Sequence, residues 1–162
     1  MTMRTLYLLR HAKSSWKDNS LADFERPLKK RGREAAEQVG RTLAAEKLKH
    51  PLLISSPAVR TRETTELVLA SGKLDAKVTY DARIYEASLS QLLEVIGSIA
   101  DKEKTLILVG HNPGMEYLLD YLTGSKAGMP TAALAKIIVG DSSWQGIERG
   151  GCQLEWLRTP DN

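Results

Sequence analysis

The chain has 162 residues, enough for one domain over residues 1–162 with a single core. Hydrophobic residues make up 42% and charged residues 27%, which excludes a disordered or low-complexity chain. One cysteine excludes an internal disulfide, three separated histidines leave no Cys/His zinc pattern, and a net charge of +3 is too small to indicate nucleic acid. The apolar run Leu6–Leu9 between Arg4 and Arg10 is too short for a signal-peptide core or a membrane span. With a lone free thiol, the expected location is the cytoplasm, with no membrane or nucleic-acid partner.

In chain order, Thr5–Leu9 is a continuous apolar run, as expected of a strand covered on both faces. Lys30–Leu48 has a helical pattern: Ala35, Val39 and Leu43 form a stripe flanked by Ala36 and Ala44, with Arg33, Glu37 and Arg41 outward. Leu52–Ser55 is a second apolar strand, and Ser56-Pro57 opens a helix to about Ala70, with Ser56 as N-cap. Lys77–Tyr80 reads as an edge strand, and Ser88–Ile99 as a helix capped by Ser88. Thr105–Val109 is a third strong strand, and Asn112-Pro113 starts a helix to about Leu122. Ala133–Val139 and Cys152–Leu157 are late strands joined by the turn-rich Gly140–Gly151, hence a hairpin. The expected fold is α/β: a three-layer sandwich whose mostly parallel central sheet carries helices on both faces and ends in an antiparallel hairpin.

In such sheets the ligand site lies beyond the carboxyl ends of the strands. The first strand is followed by Arg10-His11, the second by Ser55-Ser56-Pro57 with Arg60 one turn on, and the third by Gly110-His111-Asn112. Two arginines and two histidines thus converge on one edge, and core packing requires none of them. Arginine offers paired donors to phosphate oxygens, helix N-termini add N–H groups, and a neutral imidazole is a competent nucleophile toward phosphorus. Nearby arginine charge should lower the pKa of His11 and keep it neutral near pH 7.

The motifs extend this reading. Leu9-Arg10-His11-Ala12-Lys13-Ser14 resembles the "RHG" motif of the histidine phosphatase superfamily, which includes the cofactor-dependent phosphoglycerate mutases. Asp23-Phe24-Glu25-Arg26-Pro27-Leu28, followed by Gly32, resembles its D-x-x-R-P-L element. Ser55-Ser56-Pro57-Ala58-Val59-Arg60-Thr61-Arg62-Glu63-Thr64 is similar to its S-S-P-x-x-R element, and Val109-Gly110-His111 to its V-[GS]-H element. The resemblance implies His11 as a transiently phosphorylated nucleophile, with Arg10, Arg60 and His111 binding the phosphate. It implies Glu86, within Tyr85-Glu86-Ala87, as proton donor, and no metal or organic cofactor. It also favours Arg60 over Arg62, since residues two apart on a helix do not share a face.

Three departures narrow the reading. Ala12 replaces the motif glycine and should leave nearby backbone N–H groups free. Lys13 and Lys17 stand where the family has Glu and often Asn. Both add positive charge and point away from a mutase; whether they reach the phosphate, steer an acidic partner or are simply solvated is open. The stretch Asp81–Lys104 has room for one helix and no cap subdomain. That resembles the short SixA-type phosphohistidine phosphatases, as does Met129-Pro130-Thr131-Ala132-Ala133. An open pocket admits a folded partner, and an imidazole leaving group, with an unperturbed pKa of about 6.5, demands little acid catalysis. The expected substrate is a phosphorylated protein such as a histidine phosphotransfer domain, acted on by a monomer. The alternatives are a broad phosphomonoesterase for small metabolites and a binding module without turnover. Glu86 alternatively reads as a surface carboxylate, His50 as exposed, Cys152 as a small buried residue, and Trp16, Trp144 and Trp156 as core or rim packing.

Overall fold

The first apolar run is an inner strand of the sheet because both its faces are covered. The computed structural model describes residues 3–160. Strand β1 (Arg4–Arg10) pairs in parallel with β4 (Thr105–Gly110) and antiparallel with β5 (Leu134–Gly140). With β2 (Leu52–Ser55), β3 (Lys77–Tyr80) and β6 (Gln153–Arg158), the order across the sheet is β3-β2-β4-β1-β5-β6. The β5–β6 pair is the expected hairpin, and exposed β3 is the expected edge.

Side chains alternate along β1, and each set has its own core. Leu6 and Leu8 pack with α3 (Leu89–Gly97) and α4 (Gly114–Thr123), among them Leu92, Ile96, Leu118 and Leu119. Tyr7 and Leu9 pack with α1 (Lys30–Ala45) and α2 (Val59–Gly72) through Ala36, Val39, Leu43 and Val68. The result is the expected three-layer α/β sandwich. The β3–β4 connection holds only a 3-10 turn at Ala82–Ile84 and α3, whose Leu92, Val95 and Ile96 share a core with Leu106 and Leu108 of β4. Among the described residues no helix is long and apolar enough to cross a membrane.

Some details differ from expectation. Helix α1 ends at Ala45, before the left-handed Lys47 (φ 54°), rather than at Leu48. Its buried face runs through Gly32, Ala36, Val39, Gly40 and Leu43, while Ala35 is half-buried and Ala44 exposed. The rotation follows from two glycines: α1 meets α2 where a Cβ on Gly72 would stand 2.5 Å from Gly40 O. Helix α2 starts at Val59 with Ala58 as N-cap, so Ser56 does not cap it. Ser88 does cap α3, in a reciprocal capping box with Gln91.

Candidate active site

The carboxyl ends of β1, β2 and β4 are laced together by their backbones. His11 N donates to Gly110 O at 3.0 Å, and Ser56 N donates to Val109 O at 3.0 Å. From the other side, Ala132 N donates to both Arg10 O (3.1 Å) and His11 O (3.0 Å). Arg10, His11, Ser56 and His111 therefore project from one rigid edge. Helix α2 brings Arg60 to the same place from its first turn. The four side chains expected to build a phosphate pocket converge.

His11 is 6% exposed. Its Nδ1 lies 2.7 Å from Ala12 O, and a carbonyl only accepts, so Nδ1 carries the proton and the lone pair is on Nε2. Arg60 Nε donates to that Nε2 at 3.4 Å. Burial, and then the charges of Arg60, Arg10 and Arg26, lower the His11 pKa to about 4. The shift has the expected direction, with burial rather than arginine charge as its largest cause. Ala12 N is not free as expected: it donates to Thr64 Oγ1 at 3.0 Å, and that hydroxyl donates to Arg60 O at 2.6 Å. Ala12 thereby ties the loop after β1 to the start of α2.

The His111 ring stands 5.3 Å from the His11 ring. Its Nε2 lies 2.8 Å from Ser56 Oγ, which also accepts Ala58 N–H at 3.3 Å. His111 Nδ1 is a buried nitrogen with no hydrogen-bond partner among the described residues, and it carries the ring proton when Ser56 Oγ–H donates to Nε2. Burial first, and then His11 and Arg60, lower its pKa to about 3. Arg10 donates through Nη1 to Met129 O at 3.1 Å, while its buried Nε has no partner. Buried donors normally find acceptors, so the unsatisfied Arg10 and His111 nitrogens suit an anionic ligand.

One carboxylate organises the rim. Asp23 Oδ2 accepts from Tyr85 Oη at 2.6 Å and from Arg60 Nη2 at 3.0 Å, and Asp23 O accepts from Arg60 Nη1 at 2.8 Å. Asp23 Oδ1 accepts from Arg26 Nε and Nη2, both at 3.2 Å. The Tyr85 bond, and after it Arg60, holds its pKa near 2. The Tyr85 ring stands edge-on to His111 at 5.4 Å and to Phe24 at 5.1 Å.

The Histidine phosphatase superfamily (branch 1) profile matches residues 6–95. The chain is 34% identical to an uncharacterized chloroplastic protein of Arabidopsis thaliana, over 98% of this chain and 79% of that one. It belongs to the histidine phosphatase superfamily. A SixA structure from Agrobacterium tumefaciens is 27% identical, with a TM-score of 0.81 over 97% of this chain and 98% of that one. The protein histidine phosphatase SixA complexed with tungstate shares the fold, at 19% identity and a TM-score of 0.82 over 96% of this chain and 97% of that one.

Family membership makes phosphoryl removal through a histidine the reaction class. Glu86 stands apart from the central four. It is exposed and left-handed (φ 53°), with no hydrogen bond or ion pair among the described residues, though its charge reaches the Tyr85 hydroxyl. Lys13 and Lys17 are exposed. Arg62 turns away and stacks on Tyr80, 3.9 Å from the ring centroid. Trp16 is 74% exposed on the rim, with Arg26 stacked 3.4 Å from its ring centroid. Sequence reasoning assigned no role to Asp23, Arg26 or Tyr85, although the first two lie in the D-x-x-R-P-L element and the third precedes Glu86. Among the described residues no three His, Cys, Asp or Glu side chains could hold a metal ion together. A groove of about 380 Å³ between α1 and the β5–β6 hairpin lies behind the site and meets it only at Ala132.

Proposed function

We propose that the chain is a metal-independent phosphatase that forms a phosphohistidine intermediate on His11, and that its substrate is phosphohistidine carried on a protein, such as a histidine phosphotransfer domain. The observation that carries this reading is the His11 tautomer. The bond to Ala12 O at 2.7 Å puts the lone pair on Nε2, facing Arg60 in a pocket where Arg10 Nε and His111 Nδ1 have no partner among the described residues.

In the first step Nε2 attacks phosphorus and forms the P–N bond. Arg60 Nε–H passes from Nε2 to a phosphoryl oxygen. Arg10 and His111 Nδ1–H hold the others as charge spreads over them. The bond to the departing imidazole breaks with its electron pair, and that ring leaves neutral because its distal nitrogen carries a proton. In the second step water attacks phosphorus, the P–Nε2 pair returns to His11, and the proton of water ends on the phosphate or on Glu86. The carboxylates support this substrate class. Asp23, beside the pocket, is held ionised near pKa 2 and cannot act as an acid, and Glu86 is out on the rim. A leaving group that brings its own proton fits such a site better than an alkoxide does. In this reading the enzyme works as a monomer in the cytoplasm, where a reduced, buried Cys152 is at home.

The test mixes the protein, in EDTA, with a phosphorylated histidine phosphotransfer domain and separately with p-nitrophenyl phosphate. Phosphate release from the phosphoprotein is expected at a kcat/KM about 100-fold or more above that for the ester, from contacts of the partner protein with the open rim, since p-nitrophenolate is itself a good leaving group. His11→Ala should abolish both. Equal kcat/KM values would establish a broad phosphomonoesterase. Tungstate binding with no release from either substrate would establish a binding module.

A further inference from the structure

Arg60 uses the two ends of its guanidinium for different tasks. Both terminal nitrogens donate to Asp23, to the carboxylate at 3.0 Å and the backbone carbonyl at 2.8 Å. The Nε–H is left directed at His11 Nε2, 3.4 Å away. Because the group is planar, fixing two nitrogens fixes the third. The same Asp23 oxygen that holds Arg60 also accepts from the Tyr85 hydroxyl, and the Tyr85 ring stands edge-on to His111 at 5.4 Å. One carboxylate therefore braces the pocket on both sides. It joins the β1–α1 loop, the first turn of α2 and the turn after β3. Its charge also sits between Arg60 and Arg26, which would otherwise repel one another across the pocket mouth.

We propose that Asp23 is the positioning residue of this site: it holds the Nε edge of Arg60 on the nucleophile, and Tyr85 against His111, before the substrate arrives. The proposal rests on the reading of Arg60 as a phosphate clamp. An arginine fixed in advance loses no rotamer freedom when phosphate binds. Its terminal nitrogens rest on Asp23 while its Nε–H rests on His11 Nε2, so phosphate takes over the Nε–H without displacing the carboxylate.

Asp23→Ala, Asp23→Asn and Tyr85→Phe test this. Loss of clamp alignment by about 1 Å costs roughly 100-fold in turnover, so kcat for Asp23→Ala should fall by about that factor, and by more than KM rises. Tungstate binding, measured by calorimetry, should weaken. Asp23→Asn should lie between Asp23→Ala and wild type, and Tyr85→Phe, which keeps the ring, should lose less than Asp23→Ala. Added formate should restore part of kcat to Asp23→Ala and none to Arg60→Ala, because the missing carboxylate is half-exposed and replaceable. A purely structural role would give no such rescue. Wild-type kcat and tungstate affinity in Asp23→Ala would overturn the proposal, as would tighter tungstate binding, which would make the carboxylate a competitor of phosphate. If Asp23→Ala does not fold, Asp23→Asn and Tyr85→Phe decide by the same readouts. The tungstate comparison needs no turnover, so it judges Asp23 even if the phosphatase reading itself fails.

Discussion

His11 and His111 face each other with ring centroids 5.3 Å apart among guanidinium groups, and the proposed chemistry needs both neutral. Burial, seconded by the arginines, lowers their pKa values to about 4 and about 3. The nucleophile is then competent well below the ordinary imidazole range. With p-nitrophenyl phosphate, kcat/KM referred to the substrate dianion should be level from about pH 7 to pH 5 and fall only as pH drops through about 4; an acid limb near 6.5 left after that correction would refute a buried, neutral His11. Stability carries the same sign. Folding depresses both pKa values, so between about 6.5 and 4 the unfolded chain binds more protons than the folded one. The stability is fully present above that window and is lost as pH falls through it. Thermal midpoints should therefore drop from pH 7.5 to pH 4.5, and His11→Gln should reduce the drop. Arg10, His11, Arg60 and His111 were legible in the sequence because each directly follows an apolar strand or opens a helix. Asp23 and Tyr85 were not, because they lie in irregular turns. No periodicity marks a carboxylate whose partners are 37 and 62 positions away.

Elements were legible to within a few residues wherever apolar periodicity was strong, and they drifted where a side chain served the site instead. Ser56 has the sequence of an N-cap, yet its hydroxyl goes to His111 and Ala58 N–H, and α2 starts later. The face of α1 was misjudged for a related reason. Ordinary stripe reasoning counts side chains, whereas this helix is seated by the absence of two. A Cβ on Gly32 would strike the Lys13 backbone, with its carbonyl carbon and nitrogen both at 2.9 Å. A Cβ on Gly40 would strike Ser71 and stand 2.6 Å from Val68 O. Overpacking at either site should cost about 1–3 kcal/mol. The two substitutions should differ in function. Gly32→Ala presses on the segment that follows His11-Ala12 and should lower kcat as well as the unfolding midpoint. Gly40→Ala acts at the α1–α2 crossing and should lower the midpoint alone. Urea melts beside steady-state kinetics separate the two, and equal kcat values would show that α1 does not position the nucleophile's loop.

Across the whole molecule, the sandwich class could be read from alternating strands and helices, but strand order could not, because an apolar run covered on both faces does not say which run lies beside it. The order puts β1 and β4 side by side, which brings the two histidines together. The connection after β3, where a cap would have to rise, holds only the 3-10 turn and α3. A protein surface can therefore approach the rim, and Trp16 is the large apolar side chain waiting there, 74% exposed. The indole is held by Arg26 at 3.4 Å, and Arg26 in turn holds Asp23. An exposed side chain contributes little to folding, so Trp16→Ala should shift stability by no more than about 0.5–1 kcal/mol, the size of an exposed cation–π contact. Buried aromatic contacts carry much of the energy of protein interfaces. The same variant should thus lose about tenfold in kcat/KM toward a phosphorylated histidine phosphotransfer domain, a loss of about 1.4 kcal/mol. A p-nitrophenyl ester is too small to span from the phosphate pocket to the indole, and its kcat/KM should not change. Comparing the two substrates on one variant separates the two effects Trp16 can have. A loss confined to the phosphoprotein makes it a docking contact, whereas an equal loss on both would mean it acts inward, through Arg26 and Asp23, on Arg60.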